Sequence, residues 1–183
     1  MPSPQRQLTH EDLWELPDDG NRYELIDGEL FVTPAPRVRH QAAVGHLYAV
    51  LREQVHALGG RVYVSPVAVR FAPDSVLEPD VVVMSRQRLD QRQERWIDAP
   101  PDLVIEVSSP STASHDLIRK RRVYEQHGVP EYWYVDLDAE QVFVHVLQGE
   151  GYGDPAAHGP DALVTSYVLE DVSVEVAPIL DAD

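Results

Sequence analysis

The chain of 183 residues has no cysteine, which excludes disulfide frameworks, thiolate metal sites and cysteine nucleophiles. It also lacks any apolar run near the roughly 20 residues that cross a bilayer as a helix. Met1 to Leu8 read M-P-S-P-Q-R-Q-L, without the apolar centre of a signal peptide. A cytoplasmic protein with no membrane contact is the expectation. Positive charge is scarce, with 15 Lys and Arg against 31 Asp and Glu and a formal net charge of -16. The shortage is steepest at the end of the chain, where no Lys or Arg follows Arg122. Such a surface holds duplex DNA poorly by phosphate attraction alone, so a polyanion has to bind locally, with divalent metal helping.

Lysine is rarer still. Lys120 is the only one, and every other basic residue is arginine. An ammonium is a compact charge whose pKa can be moved, so this residue is singled out for chemistry. The competing explanation is drift, since a single lysine in an arginine-rich composition must fall somewhere.

What is present describes one compact domain over residues 1–183, with 43% hydrophobic and 25% charged residues, a core spanning about 22–147 and an acidic C-terminal extension over 148–183. The stretch T-H-E-D-L-W-E-L from Thr9 predicts an N-capped short helix ending near Pro17 and packing as a lid. Residues 22–32, R-Y-E-L-I-D-G-E-L-F-V, predict a hairpin turning at Asp27-Gly28. Alternation then puts Glu24, Ile26, Glu29 and Phe31 on one face. Val44, Leu47, Tyr48, Leu51 and Val55 recur at helical spacing and predict a long helix over 38–57, closed by Gly59-Gly60.

Strands are expected at 61–64, 67–71, 80–84 and 102–107, and a second helix at 114–127. A second hairpin at 131–136 and 141–147 and a weaker strand at 162–168 follow, while G-E-G-Y-G-D-P-A-A-H-G-P at 149–160 reads as a mobile loop. The fold class expected is α/β (α+β), a mixed sheet flanked by helices behind an N-terminal β-hairpin.

Two acids stand out against this pattern. L-E-P-D-V-V-V-M places Asp80 at the mouth of an apolar strand, and D-L-V-I-E-V places Glu106 inside another. A carboxylate among Leu103, Val104, Ile105 and Val107 is costly to bury unless a cation or hydrogen-bond donors meet it. Two strand carboxylates converging on one edge suit a hard cation such as Mg²⁺, which takes oxygen ligands and keeps several waters. Asp116, Lys120 and Tyr124 recur every four residues on the following helix, so their stripe can fold back over the strand end and bring Lys120 to Glu106. The alternative is an exposed Asp116–Lys120 pair worth a few tenths of a kcal/mol, about 0.3.

Taken together, R-Y-E-L-I-D-G-E-L, R-H at 39–40, E-P-D-V-V-V, D-L-V-I-E-V-S-S-P-S-T and D-L-I-R-K-R-R-V-Y-E-Q-H-G-V-P-E-Y-W-Y-V-D resemble the Uma-type putative restriction endonuclease family, part of the PD-(D/E)XK superfamily. The resemblance runs from about Arg22 to His145 and implies a restriction endonuclease-like fold, Mg²⁺ or Mn²⁺ as cofactor and DNA as substrate. It implies Asp80 and Glu106 as metal ligands, with the carbonyl of Val107 a third. The superfamily pattern has lysine two residues after the acid, where this chain has Ser108, and Lys120 resembles a migrated form of that lysine. Glu24 is similar to an additional acid on the family's first strand, and His40 to a histidine heading its first long helix.

The implied chemistry is metal-assisted hydrolysis of a DNA phosphodiester. Free lysine has a pKa near ~10.4, and adjacent carboxylates oppose lowering it, so Lys120 is expected to orient water or stabilise charge rather than to act as base. Arg86, Arg88, Arg92 and Arg95, with Arg119, Arg121 and Arg122, either meet the substrate or pair with acids such as Asp90, Glu94 and Asp116. Tyr132-Trp133-Tyr134 reads as core rather than as a base-stacking surface. Two other functions stay open at this point: a catalytically silent binding or scaffold module, and a hydrolase of smaller phosphoesters. A homodimer joined through exposed strand edges is compatible with the pattern.

Overall fold

In the computed structural model the described residues are 7–17, 19–33, 35–108 and 116–181, with backbone alone at 116 and 117. Thr9 caps α1 (His10–Leu13), its backbone N–H and hydroxyl both donating to Asp12 Oδ2, at 2.9 and 3.3 Å. The hairpin of β1 (Arg22–Ile26) and β2 (Glu29–Thr33) has the expected register, with Glu24 opposite Phe31 and Ile26 opposite Glu29. Its turn needs positive φ at two successive residues, met by Asp27 at 52° and Gly28 at 78°. The long helix α2 occupies Val38–Ala57.

After α2 the chain forms β3 (Arg61–Val64), β4 (Ala68–Ala72), β5 (Ser75–Leu77), β6 (Val81–Met84), β7 (Trp96–Ile97) and β8 (Leu103–Val107). A π-helical turn at Asp116–Lys120 runs into α3 (Arg121–Gln126). The remainder is β9 (Glu131–Asp136), β10 (Gln141–Gln148), β11 (Gly151–Tyr152), β12 (Ala156–His158), β13 (Leu163–Thr165), β14 (Ser173–Glu175) and α4 (Ala177–Leu180). A seven-stranded mixed sheet has the order β11-β10-β9-β8-β6-β3, with β12 also on β10, and β8 and β9 run parallel. A five-stranded sheet has the order β2-β1-β5-β4-β7, and β13 pairs with β14.

Alternation along the central strands divides the core. Val81, Val83, Leu103, Ile105, Trp133 and Val135 face α2, which contributes Ala43, Val44, Leu47, Leu51 and Val55. On the other face Val104, Tyr132 and Tyr134 meet Ile26 and Leu77 of the smaller sheet and Val123 and Tyr124 of α3. The sheet is therefore flanked by a helix on one side and by a second sheet with α3 on the other. Gly60 lets α2 turn closely into β3, because a Cβ there would lie 2.6 Å from the Met84 carbonyl and 2.7 Å from Val55 Cγ1. Among the described residues no helix is long and apolar enough to cross a membrane.

The structure corrects the sequence reading in several places. Residues 149–160 are not a mobile loop: β11 and β12 both pair with β10, and Tyr152 is buried, its hydroxyl donating to the Val129 carbonyl at 2.9 Å. The strand at 162–168 is only β13, and β5 and β7 are too short for periodicity to reveal. The first residues of the expected 114–127 helix lie outside the described residues, as do the side chain of Asp116 and the S-P-S-T part of the β8 motif. In the acidic extension, Val164, Val172, Val174, Ile179 and Leu180 pack into the main core. Gln54 fastens the extension to α2, donating to the Ser173 carbonyl at 2.8 Å and accepting from the Ser173 N–H at 2.9 Å.

Candidate active site

Asp80 immediately precedes β6, one residue beyond the register pair of Val81 with Ile105, so it stands across from Glu106. Its exposure is 1%. Arg22 Nη1 donates to Oδ1 at 2.9 Å; His40 Nε2 and the Val107 backbone N–H donate to Oδ2 at 3.0 and 2.8 Å. Burial alone would raise the pKa of this carboxyl, but His40, Arg22 and Lys120 together hold it well below the usual carboxylate range. Arg22 and Glu24 are two residues apart on β1 and share a face, which is why the guanidinium reaches both acids, its Nε 4.0 Å from Glu24 Oε2. Burial opposes the Arg22 charge; Glu24, Asp80 and Glu106 outweigh it and raise the pKa.

Glu106 is fully buried, and alternation along β8 points it away from α2. Lys120 Nζ donates to its two oxygens at 3.1 and 3.3 Å, and the Tyr124 hydroxyl donates to Oε1 at 2.5 Å. Lys120 and Tyr124 sit one helical turn apart, so both reach the same carboxylate. The same ammonium lies 3.0 Å from Glu24 Oε1, which also accepts the Glu78 backbone N–H at 2.7 Å. Burial, then Glu106 and Glu24, push the Tyr124 phenol well above its ordinary pKa and keep it a donor.

The sequence-predicted residues thus fall into two linked groups. Asp80 and His40 form one, joined by Val107 through its N–H, whereas the sequence reading named its carbonyl; Glu106, Lys120 and Glu24 form the other; Arg22 bridges them. Three participants were not singled out as site residues in the sequence. Tyr124 was readable as the next residue on the Lys120 stripe, and Arg22 as the same-face neighbour of Glu24. Glu78 precedes the Pro79-Asp80 pair, and its Oε2 is buried without a hydrogen-bond partner. Burial and then Glu24 push its carboxyl up to about 7, with Arg22 and Lys120 acting the other way.

Glu78, Asp80, Arg22 and His40 open onto a cleft of about 480 Å³, which Trp14, Leu16, Tyr23 and Pro36 also line. The neighbouring arginines are largely engaged with acids: Arg88 with Asp102 at 3.0 Å, Arg119 with Glu29 at 3.0 Å and Arg121 with Glu125 at 3.8 Å. Glu29 shares the Glu24 face of the hairpin but stays outside the site in this pairing. The aromatic run of β9 is core, as expected.

Among the described residues no three Asp, Glu or His side chains already form a coordination set. The donor chemistry nevertheless fits a hard divalent cation. Glu24, Glu78, Asp80 and Glu106 are oxygen donors, and their combined charge exceeds that of Arg22 and Lys120. Glu78 has a buried oxygen without a hydrogen-bond partner, and burial first and Glu24 second raise its carboxyl.

The family model Uma2, described as "Putative restriction endonuclease", matches residues 10–177. The crystal structure of a putative nuclease of DUF820 from Anabaena variabilis is similar with a TM-score of 0.79 at 22% identity, covering 94% of this chain and 97% of that chain. At that identity the likeness speaks for the fold, a nuclease-like α+β arrangement. No curated protein matches. On the family match, which spans most of the sequence and every residue of the two charged groups, the chain belongs to the Uma2 family of putative restriction endonucleases.

Proposed function

We propose that this protein is a metal-dependent endonuclease that hydrolyses DNA phosphodiester bonds at the site built on Asp80, Glu106 and Lys120. The observation that carries the reading is the Lys120 ammonium, 2% exposed and 3.0 and 3.1 Å from the carboxylates of Glu24 and Glu106. Burying three charges together is expensive, and replacing such a triad by apolar side chains often stabilises a fold. Ion groups of this kind with perturbed neighbours in a cleft are typical of functional sites.

Asp80 and Glu106, with the Val107 carbonyl, would hold Mg²⁺ or Mn²⁺. When bound, such a cation supplies Lewis acidity at the phosphoryl oxygen and favours ionisation of water. The protein's own groups do the rest. Lys120, paired with the carboxylates of Glu24 and Glu106, orients the attacking water and offsets charge on the phosphoryl oxygens in the transition state. His40 is buried at the first turn of α2 with Nε2 on Asp80, so it fixes the Asp80 carboxylate and stands beside the path of the phosphate. The balance is simple hydrolysis: the water oxygen bonds to phosphorus, one P–O bond breaks, and the leaving oxygen ends protonated.

The test is cleavage of DNA by purified protein with Mg²⁺ and with Mn²⁺, beside Asp80→Asn and Lys120→Met. Metal-dependent cleavage that falls at least 100-fold in both variants is the expected result. Cleavage that survives both substitutions overturns the mechanism. Hydrolysis limited to small phosphodiesters would instead favour the smaller-phosphoester reading.

A further inference from the structure

We infer that DNA reaches this site as an unpaired strand, with one nucleotide in the cleft and its base against Trp14 and Tyr23. The inference rests on the reading that the site cleaves DNA and specifies the form in which the substrate enters. Depth is the first argument. Asp80, Glu106 and Lys120 are exposed by 1%, 0% and 2%, so none of them stands on a surface that a rigid double helix can touch. Asp80 lines the cleft, whose volume of about 480 Å³ lies within the range of small-ligand sites of roughly 300–1,000 Å³. That space admits a single nucleotide and not two paired strands.

The lining carries both kinds of group that a nucleotide meets: Arg22 and His40 beside the carboxylates of Asp80 and Glu78, and the apolar or aromatic Trp14, Leu16 and Tyr23. Trp14 is a braced platform: it stacks on Trp96 with centroids 5.5 Å apart at 19°, and the Arg70 guanidinium covers Trp96 at 5.2 Å. Arg70 is itself fixed by paired bonds to Asp98, each 2.8 Å long. A phosphate held near Arg22 and His40 leaves its base to stack on the aromatic part of the lining, a contact that does not read sequence.

Charge points the same way. Duplex binding draws on an array of free cations, whereas this chain carries a net charge of -16 and its flanking Arg88, Arg119 and Arg121 are paired with acids. Enclosure and stacking, which unpaired bases offer, supply affinity that does not draw on such an array.

The experiment has two arms on the intact protein. In the first, one sequence is presented with Mn²⁺ as a single strand, as a full duplex and as a duplex with a central unpaired bubble. In the second, the anisotropy of a fluorescein-labelled oligothymidylate is titrated with protein in Ca²⁺ buffer. The expected results are cleavage of the single strand and bubble at least 10-fold faster than of the duplex, and strand binding that weakens at least 10-fold in Trp14→Ala and is kept in Trp14→Phe. Duplex cleavage as fast as single-strand cleavage overturns the inference, as does single-strand binding indifferent to both Trp14 variants in a protein that still melts cooperatively. Trp14-dependent strand binding without cleavage of any DNA sinks the catalytic reading while supporting the mode of strand entry, so the two failures are separable.

Discussion

Replacing Lys120 by methionine is the sharpest perturbation of the charged core, because methionine keeps much of the apolar stem and removes the ammonium. Two carboxylates then lose their shared cation: Glu106, fully buried, and Glu24, 2% exposed. Breaking a buried pair by removing one partner costs about 3–5 kcal/mol. The lower end applies here, since the Tyr124 hydroxyl still donates to Glu106 at 2.5 Å and the Glu78 N–H to Glu24 at 2.7 Å. At about 3 kcal/mol, and about 2–4 °C per kcal/mol for a domain of this size, the melting temperature falls by about 6–12 °C. The companion Glu106→Gln removes the stranded charge, so the double variant Lys120→Met with Glu106→Gln loses less than the two single losses added together. Urea unfolding followed by circular dichroism gives all three values, with constant slope as the check on two-state behaviour. A Lys120→Met protein within about 1 kcal/mol of wild type, or strict additivity in the double variant, refutes the assignment of Lys120 as the neutralising charge.

Away from the site, His145 is 5% exposed and stacked on Tyr132 at 5.4 Å, facing Arg121, Glu125 and Tyr152; burial first and Arg121 second pull its pKa from 6.5 down to about 4, against a weaker upward pull from Glu125. The folded state prefers the neutral ring, so this contribution is present above pH 6.5 and is lost as pH falls through about 4. Between those limits wild type should lose up to about 3 kcal/mol more than His145→Phe, which keeps the stack; equal acid losses in urea midpoints at neutral and acidic pH would contradict this. Gly60→Ala forces a Cβ into the Met84 carbonyl and Val55 and should cost about 1–3 kcal/mol in the same assay, whereas an unchanged midpoint would mean that the α2–β3 turn relaxes freely.

The large elements were legible because each announces its own period. The hairpin register followed from Asp27-Gly28 and alternation, and α2 from its apolar spacing, to the residue at both ends. What failed was local evidence overruled by pairing. Residues 149–160 carry the glycine and proline of a loop, yet β10 offers free edges on which β11 and β12 form ladders, and Tyr152 finds a buried place under Arg121. Strands of two or three residues, such as β7 and β5, have no period to read at all. The second sheet covering one face of the central one was hidden for the same reason.

In the site, sequence exposes the expensive residues and conceals their partners. An acid inside L-V-I-E-V must be matched by something, but two different solutions occur in this chain. Glu131 is also fully buried, and it is satisfied by neutral donors alone: Trp133 Nε1 and Ser166 Oγ at 2.6 Å and the Tyr167 N–H at 3.0 Å. That arrangement ties β9 to the segment after β13 and leaves no charge-bearing group for chemistry. Glu106 instead receives an ammonium that is shared with Glu24, and Glu24 in turn connects through Arg22 to Asp80. The difference lies in residues far apart in sequence, so no window around either glutamate predicts it. The rare lysine was the usable signal, because in a chain that otherwise carries only arginine, a small movable cation one helical turn from Tyr124 narrows the candidate acids to those its stripe can reach. Alternation shows Arg22 on the Glu24 face, but its bridge to Asp80 had no such signal: it depends on the β1–β5 pairing that sets Leu25 opposite Val76, with Glu78 and Asp80 following on the same strand exit, and that pairing is a property of the folded sheet.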